Sequence, residues 1–182
     1  MQFIPSVEKY FKNLNASLPV FTDVNKKLTT TPPTITRRIF ITPGAMNSPG
    51  RARSVNTSWD AFVFPNAVDD FCAGQLIVPS DYLSNMNMYI WWGGNNAGDC
   101  FWYSNSTSGA HGEAYASPGW SLSGAKTLSV GVWNRHSLGA ISGIAGGDIL
   151  GVHVGRIGTH VADTIVADVW LNGIEFTYIA SS

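Results

Sequence analysis

The sequence has few charged residues for its length. Asp, Glu, Lys and Arg make up 13% of the 182 residues, and the formal net charge is −1. No basic run is present, so we expect no nucleic-acid partner. No apolar run reaches the ~20 residues of a membrane-spanning helix, so we expect no membrane partner either. Apolar residues nevertheless make up 45% of the chain, which predicts that other subunits cover much of its surface.

Signals for export and for metal binding are also missing. Residues 1–10 are polar and mixed, without the apolar segment of a signal peptide, so we expect synthesis in a cytoplasm without standard export. Cys72 and Cys100 are the only cysteines, and we expect them to be buried thiols. Two cysteines cannot form a four-cysteine zinc site, and the four histidines show no metal-binding spacing. We therefore expect no metal and no cofactor.

Catalytic motifs are absent as well. No G-x-S-x-G sequence surrounds Ser121, Ser123 or Ser129. The neighbouring acids Asp69 and Asp70 are expected in a loop, because a catalytic carboxylate pair must face each other across a substrate. The glycine-rich residues 93–98 lack the lysine of a phosphate-binding loop and indicate a turn. The sequence predicts a protein that is not an enzyme.

The C-terminal third has a clear strand pattern. Residues 150–155 alternate between Leu or Val and Gly or His, and this period of two predicts a half-buried strand. In residues 165–178 the apolar face occupies odd positions as far as Leu171 and even positions from Ile174. A β-bulge at Asn172-Gly173 or a two-residue hairpin turn there would each explain the change. We favour the bulge, because each arm of a hairpin would be short.

Similar patterns predict further strands at residues 39–41, 59–65, 73–79, 86–92, 99–104, 127–133 and 140–144. Turns rich in Gly, Pro and Asn separate them, and residues 105–117 are expected to be a surface loop. No convincing helical pattern follows residue 20. The predicted fold is all-β, with about eight antiparallel strands in a jelly-roll sandwich.

Residues 1–36 differ in character from the predicted sandwich domain of residues 37–182. Ser6 is placed to begin a short helix that Pro19 would end, and an extended Thr- and Pro-rich segment follows. A flexible leader and an arm that folds on a neighbouring subunit both fit. We favour the arm, because its apolar residues are too many for a solvated tail and too few for a core. The residues expected to bind a capsid or subunit are Val7, Tyr10, Phe11, Leu14, Leu18, Phe21, Leu28, Pro32 and Pro33.

Several motifs follow one another in a definite order. They are W-x-x-F-x-F-P (59–65), L-I-V-P-S-D-Y (76–82), a Trp-containing strand (90–92), a Gly-Asp strand (98–103), and the closing G-D-I-L-G-V-H-V-x-R and A-D-T-I-V-A-D-V-W-L-N-G-I-E-F-x-Y (147–178). In this order they resemble a widespread class of tailed-bacteriophage virion proteins with a jelly-roll body. The resemblance covers residues 58–178.

The resemblance implies a structural virion protein that is made in the host cytoplasm and is usually a homotrimer. It leaves open whether the chain sits on the head or on the tail. Our leading hypothesis is a capsid decoration, or cement, protein that binds the major capsid protein through its arm, because no repetitive fibre shaft is visible. The alternative is a tail-fibre or spike head that binds host-surface glycan. A cellular carbohydrate-binding sandwich is disfavoured, because no linker to a catalytic domain is visible.

Two groups of body residues are candidate contacts. His153, with Gly151 and Gly155 beside it, is a candidate for the trimer axis or a subunit interface, as is Arg156; for His153 an ordinary hydrogen-bonded strand histidine is the simpler interpretation. The glycan-stacking candidates of the alternative hypothesis are Trp91, Trp92, Trp102 and Trp120. Adjacent strand residues face opposite sides, so Trp91 and Trp92 cannot both face outward. Packing against another sheet or subunit would also explain these aromatics.

Overall fold

A computed structural model describes residues 21–22, 28–29, 34–47, 53–56, 59–110 and 121–181 of the chain. Within these ranges the protein is all-β, with a 3-10 turn at Pro43–Ala45 and no α-helix. The helix predicted near Ser6, most of the predicted arm and Trp120 lie outside the described residues.

The described strands are β1 (Phe21–Thr22), β2 (Leu28–Thr29), β3 (Thr34–Ile41), β4 (Met46–Asn47), β5 (Arg53–Asn56), β6 (Trp59–Phe64), β7 (Asp69–Ile77), β8 (Tyr82–Gly94), β9 (Gly98–Gly109), β10 (Ser121–Leu128), β11 (Asn134–Ile141), β12 (Ile149–Ile157) and β13 (Val169–Ser181). More strands are present than the sequence predicts, mainly because β1, β2, β4 and β5 have only two to four residues. Such short segments carry too little alternation to be recognised from sequence.

The strands form two antiparallel sheets that make a sandwich, as predicted. One sheet has five strands in the order β10-β9-β12-β7-β4. The other has six: β11-β8-β13-β6-β5, with β3 alongside the C-terminal half of β13. β1 and β2 pair with each other as a separate two-stranded sheet. Because Thr34 already pairs with Ser181, the six-stranded sheet begins a few residues before the predicted domain boundary at 37.

Alternate apolar residues of both sheets fill the core. On β12, Leu150, Val152 and Val154 are fully buried, which confirms the predicted alternation. The rings of Trp92 and Trp102 meet edge to face at 5.3 Å between the sheets. Both cysteines are free and buried, and burial raises the pKa of the Cys72 thiol to about 12. The thiols are therefore packing groups, as expected.

The predicted bulge in β13 is confirmed. Leu171 pairs with Trp92 and Gly173 pairs with Trp91, so Asn172 is the extra residue. The bulge shifts the side-chain alternation by one position. As a result, Trp170 and Glu175 lie on the same outer face of the six-stranded sheet.

Three local expectations are wrong. Residues 129–133 are a turn rather than a strand, because the Asn134 side chain binds the backbone of Ser129 and Val132 and Gly131 has a φ of +78°. Residues 105–109 continue β9 rather than forming a loop; their inward side chains are serines, which hide the apolar alternation. Asp69 and Asp70 begin β7, where they pair with Ile157 and Arg156.

Arg156 holds the loop between β12 and β13 in place. Its side chain is fully buried and makes a bidentate ion pair with Asp163, with N–O distances of 2.8 and 2.7 Å. It also donates to the backbone carbonyls of Ile165 at 2.6 Å and Ala167 at 2.8 Å. Longer contacts of 3.4 Å reach the carbonyls of Phe64 and Pro65. One side chain thus joins the W-x-x-F-x-F-P motif to both closing motifs.

Candidate binding face on the six-stranded sheet

The outer surface of the six-stranded sheet carries a set of aromatic side chains. On β8, Met88, Ile90 and Trp92 point into the core, so Tyr89 and Trp91 point outward. We call this surface the aromatic face and define it by Phe40, Tyr89, Trp91, Trp133 and Trp170, which are all partly exposed or exposed.

Two glycines let rings lie close to the sheet. A Cβ atom added at Gly93 would lie 3.3 Å from the Trp133 ring, and one added at Gly173 would overlap the Phe40 ring. These rings therefore lie across backbone that has no side chain of its own. Gly173 directly follows the bulge, so the bulge also provides the place where Phe40 packs.

The aromatic face contains two adjoining clefts. The first has a volume of about 420 Å³ and is lined by Gly93, Gly94, Asn95, Gly131, Val132, Trp133 and Trp170. The second has a volume of about 430 Å³ and is lined by Arg38, Phe40, Trp91, Trp133, Asn172 and Glu175. Trp133 lines both clefts, so they are neighbours.

Glu175 organises the floor of the second cleft. It is only 4% exposed and accepts a hydrogen bond from Trp91 Nε1 at 2.6 Å. Arg135 donates to both of its oxygens, from Nε at 2.8 Å and Nη2 at 3.0 Å. The hydrogen bond from Arg135 is the main reason that the pKa of Glu175 is lowered. The guanidinium of Arg135 in turn lies 3.5 Å from the centre of the Tyr89 ring.

Arg38 is the second cation of this cleft and is held much less tightly. Its Nε lies 3.6 Å from Glu175 Oε1, beyond hydrogen-bonding distance, and its side chain is 72% exposed. The guanidinium therefore keeps donor capacity at the mouth of the cleft.

The four tryptophans expected from sequence have different locations. Trp91 lies on the aromatic face, so it stays a candidate for stacking on a ligand. Trp92 and Trp102 have no exposed surface, so their assignment as stacking residues is wrong; their inward positions place them between the sheets. Trp120 lies outside the described residues.

Sequence reasoning missed Phe40, Trp133 and Trp170. Trp170 could have been found, because a bulge at Asn172 puts it on the same face as Glu175. Trp133 was assigned to a strand that is a turn, and Phe40 comes from a distant part of the chain. Neither has a local signal that links it to Trp91.

His153 and Arg156, the two candidates for a subunit interface, also have different locations. His153 is exposed on the outer face of the five-stranded sheet, where its ring stacks on Phe71 with a centroid distance of 5.5 Å. Its place at a trimer axis stays a prediction. Arg156 has no exposed side-chain surface, so it cannot contact another subunit directly.

Of the arm candidates, only the backbones of Phe21 and Leu28 are described, in the pairs Phe21–Thr29 and Thr22–Leu28. The other arm candidates lie outside the described residues.

In the part of the chain that the structure describes, no three His, Cys, Asp or Glu side chains cluster as metal ligands would. The same residues contain no helix with the length and apolar character needed to cross a membrane.

Comparison with known proteins identifies no family. No protein-family model and no curated protein matches the chain. Among solved structures, it is similar to the carbohydrate-binding module TmCBM61 in complex with β-1,4-galactotriose, with 11% identity and a TM-score of 0.33. The match covers 81% of this chain and 88% of that one. A likeness at this level carries no argument about function, which depends on the chain's own residues.

Proposed function

We propose that this chain is a non-catalytic virion module whose aromatic face binds host-surface glycan. The observation that carries the proposal is the pair of adjoining clefts lined by Trp91, Trp133 and Trp170. Aromatic rings offer a flat apolar surface to the apolar face of a sugar ring, while nearby polar groups satisfy its hydroxyls. Asn172 and Arg38 line the second cleft and supply such groups.

The cleft is already arranged for binding. Trp91 is fixed by its hydrogen bond to Glu175, and Trp133 lies against Gly93. A ligand that meets side chains already held in position loses less conformational entropy on binding. Preorganisation of this kind supports a binding role for the face.

The virion setting is supported by the resemblance in residues 58–178. Pieces of three of its motifs meet at the Arg156 side chain, through the carbonyls of Phe64 and Pro65 and the carboxylate of Asp163. These three motifs thus meet in one part of the body. Homotrimerisation belongs to the same proposal and has the same support.

The decisive experiment is a glycan array probed with the full chain and with Trp133→Ala. Trp133 lines both clefts, so we expect its loss to weaken binding about fivefold or more, since a stacked ring contributes on the order of 1 kcal/mol. Phe71→Ala is the matched control, because Phe71 is an exposed aromatic residue on the opposite sheet. Circular dichroism would establish that both variants fold. If the full chain binds no glycan, or if both variants bind as it does, the proposal is wrong.

Capsid decoration is the second candidate. Ile77 and Ile149 are paired across β7 and β12 and are 69% and 53% exposed. Two exposed isoleucines side by side favour a protein partner for the five-stranded sheet. With the arm as anchor, that partner would be the major capsid protein.

Deleting residues 1–33 tests the decoration hypothesis. The deletion ends just before β3, which the six-stranded sheet needs. On this hypothesis, the shortened protein keeps the thermal stability of the full chain but no longer sediments with capsids. Normal capsid binding by the shortened protein would exclude the arm as the anchor.

A further inference from the structure

We infer that the two clefts bind adjoining units of one acidic oligosaccharide, with a carboxylate of one unit paired to Arg38. This inference depends on the proposed glycan-binding function and specifies its ligand. It comes from the shared wall between the clefts and from their different charge.

The shared wall indicates a ligand of at least two sugar units. Trp133 lines both clefts, and the volumes on its two sides are nearly equal, about 420 and 430 Å³. Trp170 provides an aromatic surface in the first cleft, and Trp91 and Phe40 provide one in the second. Each side therefore has its own ring for stacking, which fits one sugar unit on either side of Trp133.

The two clefts differ in charge. Among the described residues that line the first cleft, none is charged. The second contains Arg38 and Glu175, and Arg135 lies directly behind Glu175. The lining therefore pairs one guanidinium with one carboxylate, and Arg135 adds a second guanidinium directly behind the cleft, so the charge around the second cleft is positive.

This positive charge is available to a ligand mainly at Arg38. The Glu175 carboxylate is nearly covered and already accepts hydrogen bonds from Trp91 and Arg135. Arg135 is engaged with Glu175 and with the Tyr89 ring. Arg38 has the most exposed side chain of the group, and among the described residues it has only a long contact to Glu175.

A carboxylate is the group that matches Arg38 best. A planar guanidinium binds a carboxylate through two parallel N–H···O bonds, whereas a sugar hydroxyl accepts only one such bond. The aromatic rings of Phe40 and Trp91 line the same cleft, so part of the ion pair would be shielded from water and strengthened. A sulfate ester shares the negative charge but is tetrahedral, so an experiment can distinguish the two groups.

The test uses the full chain and a set of disaccharides that contain a uronic or sialic acid. Each acidic disaccharide is compared with its carboxyl-reduced form, with a sulfated neutral form and with the acidic monosaccharide. We expect at least one acidic disaccharide to bind about tenfold more tightly than its reduced form. We also expect this preference to weaken as salt is added. The acidic monosaccharide should bind more weakly than the disaccharide.

Variants of Arg38 separate recognition of the acid from folding. Arg38→Gln should abolish the preference for the acid, so that affinity for the acidic disaccharide falls by about tenfold more than affinity for the reduced one. Arg38→Lys should retain part of the preference, because it keeps the charge but loses the two-bond geometry. Equal loss of acidic and reduced ligand in Arg38→Gln would overturn the assignment of Arg38.

The remaining outcomes distinguish this inference from the proposed function. If the reduced or sulfated disaccharides bind as tightly as the acidic ones, the carboxylate inference is wrong and glycan binding stands. If the monosaccharide binds as tightly as the disaccharide, the inference that both clefts are used is wrong. If no saccharide in the set or on the array binds, the proposed function itself fails.

Discussion

Two arginine–carboxylate pairs of similar geometry have different roles in this protein. Arg156 and Asp163 form a bidentate pair that is essentially unexposed. Arg135 and Glu175 also form a bidentate pair, but Arg135 is 32% exposed and the pair lies beneath the aromatic face. Backbone carbonyls occupy the remaining donors of Arg156, whereas Arg135 shares its carboxylate with Trp91 and Arg38.

The contrast distinguishes residues that maintain the fold from residues that can meet a ligand. Arg156 and Asp163 belong to the closing motifs of the resemblance, and both act inside the chain. Arg38 and Arg135 lie outside those motifs, and both are at or near the second cleft. The quoted motifs also contain Trp91, Trp170 and Glu175, which line the clefts, so a motif alone does not show whether a residue serves the fold or the binding face.

Replacement of Arg156 should have the largest effect on stability. Arg156→Met leaves the Asp163 carboxylate buried without its partner and leaves carbonyl groups without a donor. We expect the free energy of unfolding to fall by about 3–5 kcal/mol, measured by denaturant unfolding. The double variant Arg156→Met with Asp163→Leu should recover part of this loss. A loss no larger than that of Glu175→Gln would show that the two pairs contribute equally to stability.

Replacement of Glu175 should have a smaller effect on stability and a clear effect on the aromatic face. Glu175→Gln weakens the hydrogen bonds from Arg135 and Trp91, and we expect a loss of about 1–2 kcal/mol. The emission of the Trp91 indole should change as its partner changes. Leu83→Ala, at an exposed residue outside both clefts, is a suitable control. An unchanged spectrum would show that Glu175 does not hold Trp91.

Acid should weaken the Arg135–Glu175 pair over a pH range that the pKa of Glu175 defines. The pKa of Glu175 is lowered in the folded protein, so the unfolded chain binds a proton first as the pH falls. The stabilising contribution is fully present above the unfolded pKa of about 4.3 and is lost as the pH drops through the lower folded pKa. Stability measured from pH 6 downward should therefore fall more for the wild type than for Glu175→Gln below about pH 4. Parallel curves would contradict this.

The hydrogen bond between Trp92 and His136, in the six-stranded sheet, should have the smallest effect on stability. Trp92 Nε1 donates to His136 Nδ1 at 2.9 Å, and burial lowers the pKa of His136. Neutral His136 makes its full contribution to stability above its unfolded pKa of about 6.5. This contribution decreases as the pH falls toward the lower pKa of the folded protein. His136→Gln keeps an acceptor for Trp92 but does not titrate in this range. The wild type should lose up to about 1 kcal/mol more than this variant between pH 7 and 5, and equal losses would exclude the effect.

The amino-acid sequence by itself determined the strand character of most of the chain, the sandwich and the bulge at Asn172. These features depend on a two-residue alternation that neighbouring residues express locally. Prediction from alternation failed in two places. Val130 and Val132 follow it but lie in a turn closed by Asn134, and the buried serines of β9 conceal it.

The candidate site was decided by the tertiary structure. Alternation requires Trp91 and Trp92 to face opposite sides, but only the packing of the sheets decides which of them is buried. Phe40, Trp133 and Glu175 come together because β3 and β8 flank β13 and the turn before β11 lies over Gly93. Arg156 likewise reaches the carbonyls of Phe64 and Pro65, which lie 92 and 91 residues away in sequence. Such contacts arise from strand order, which a local pattern does not encode.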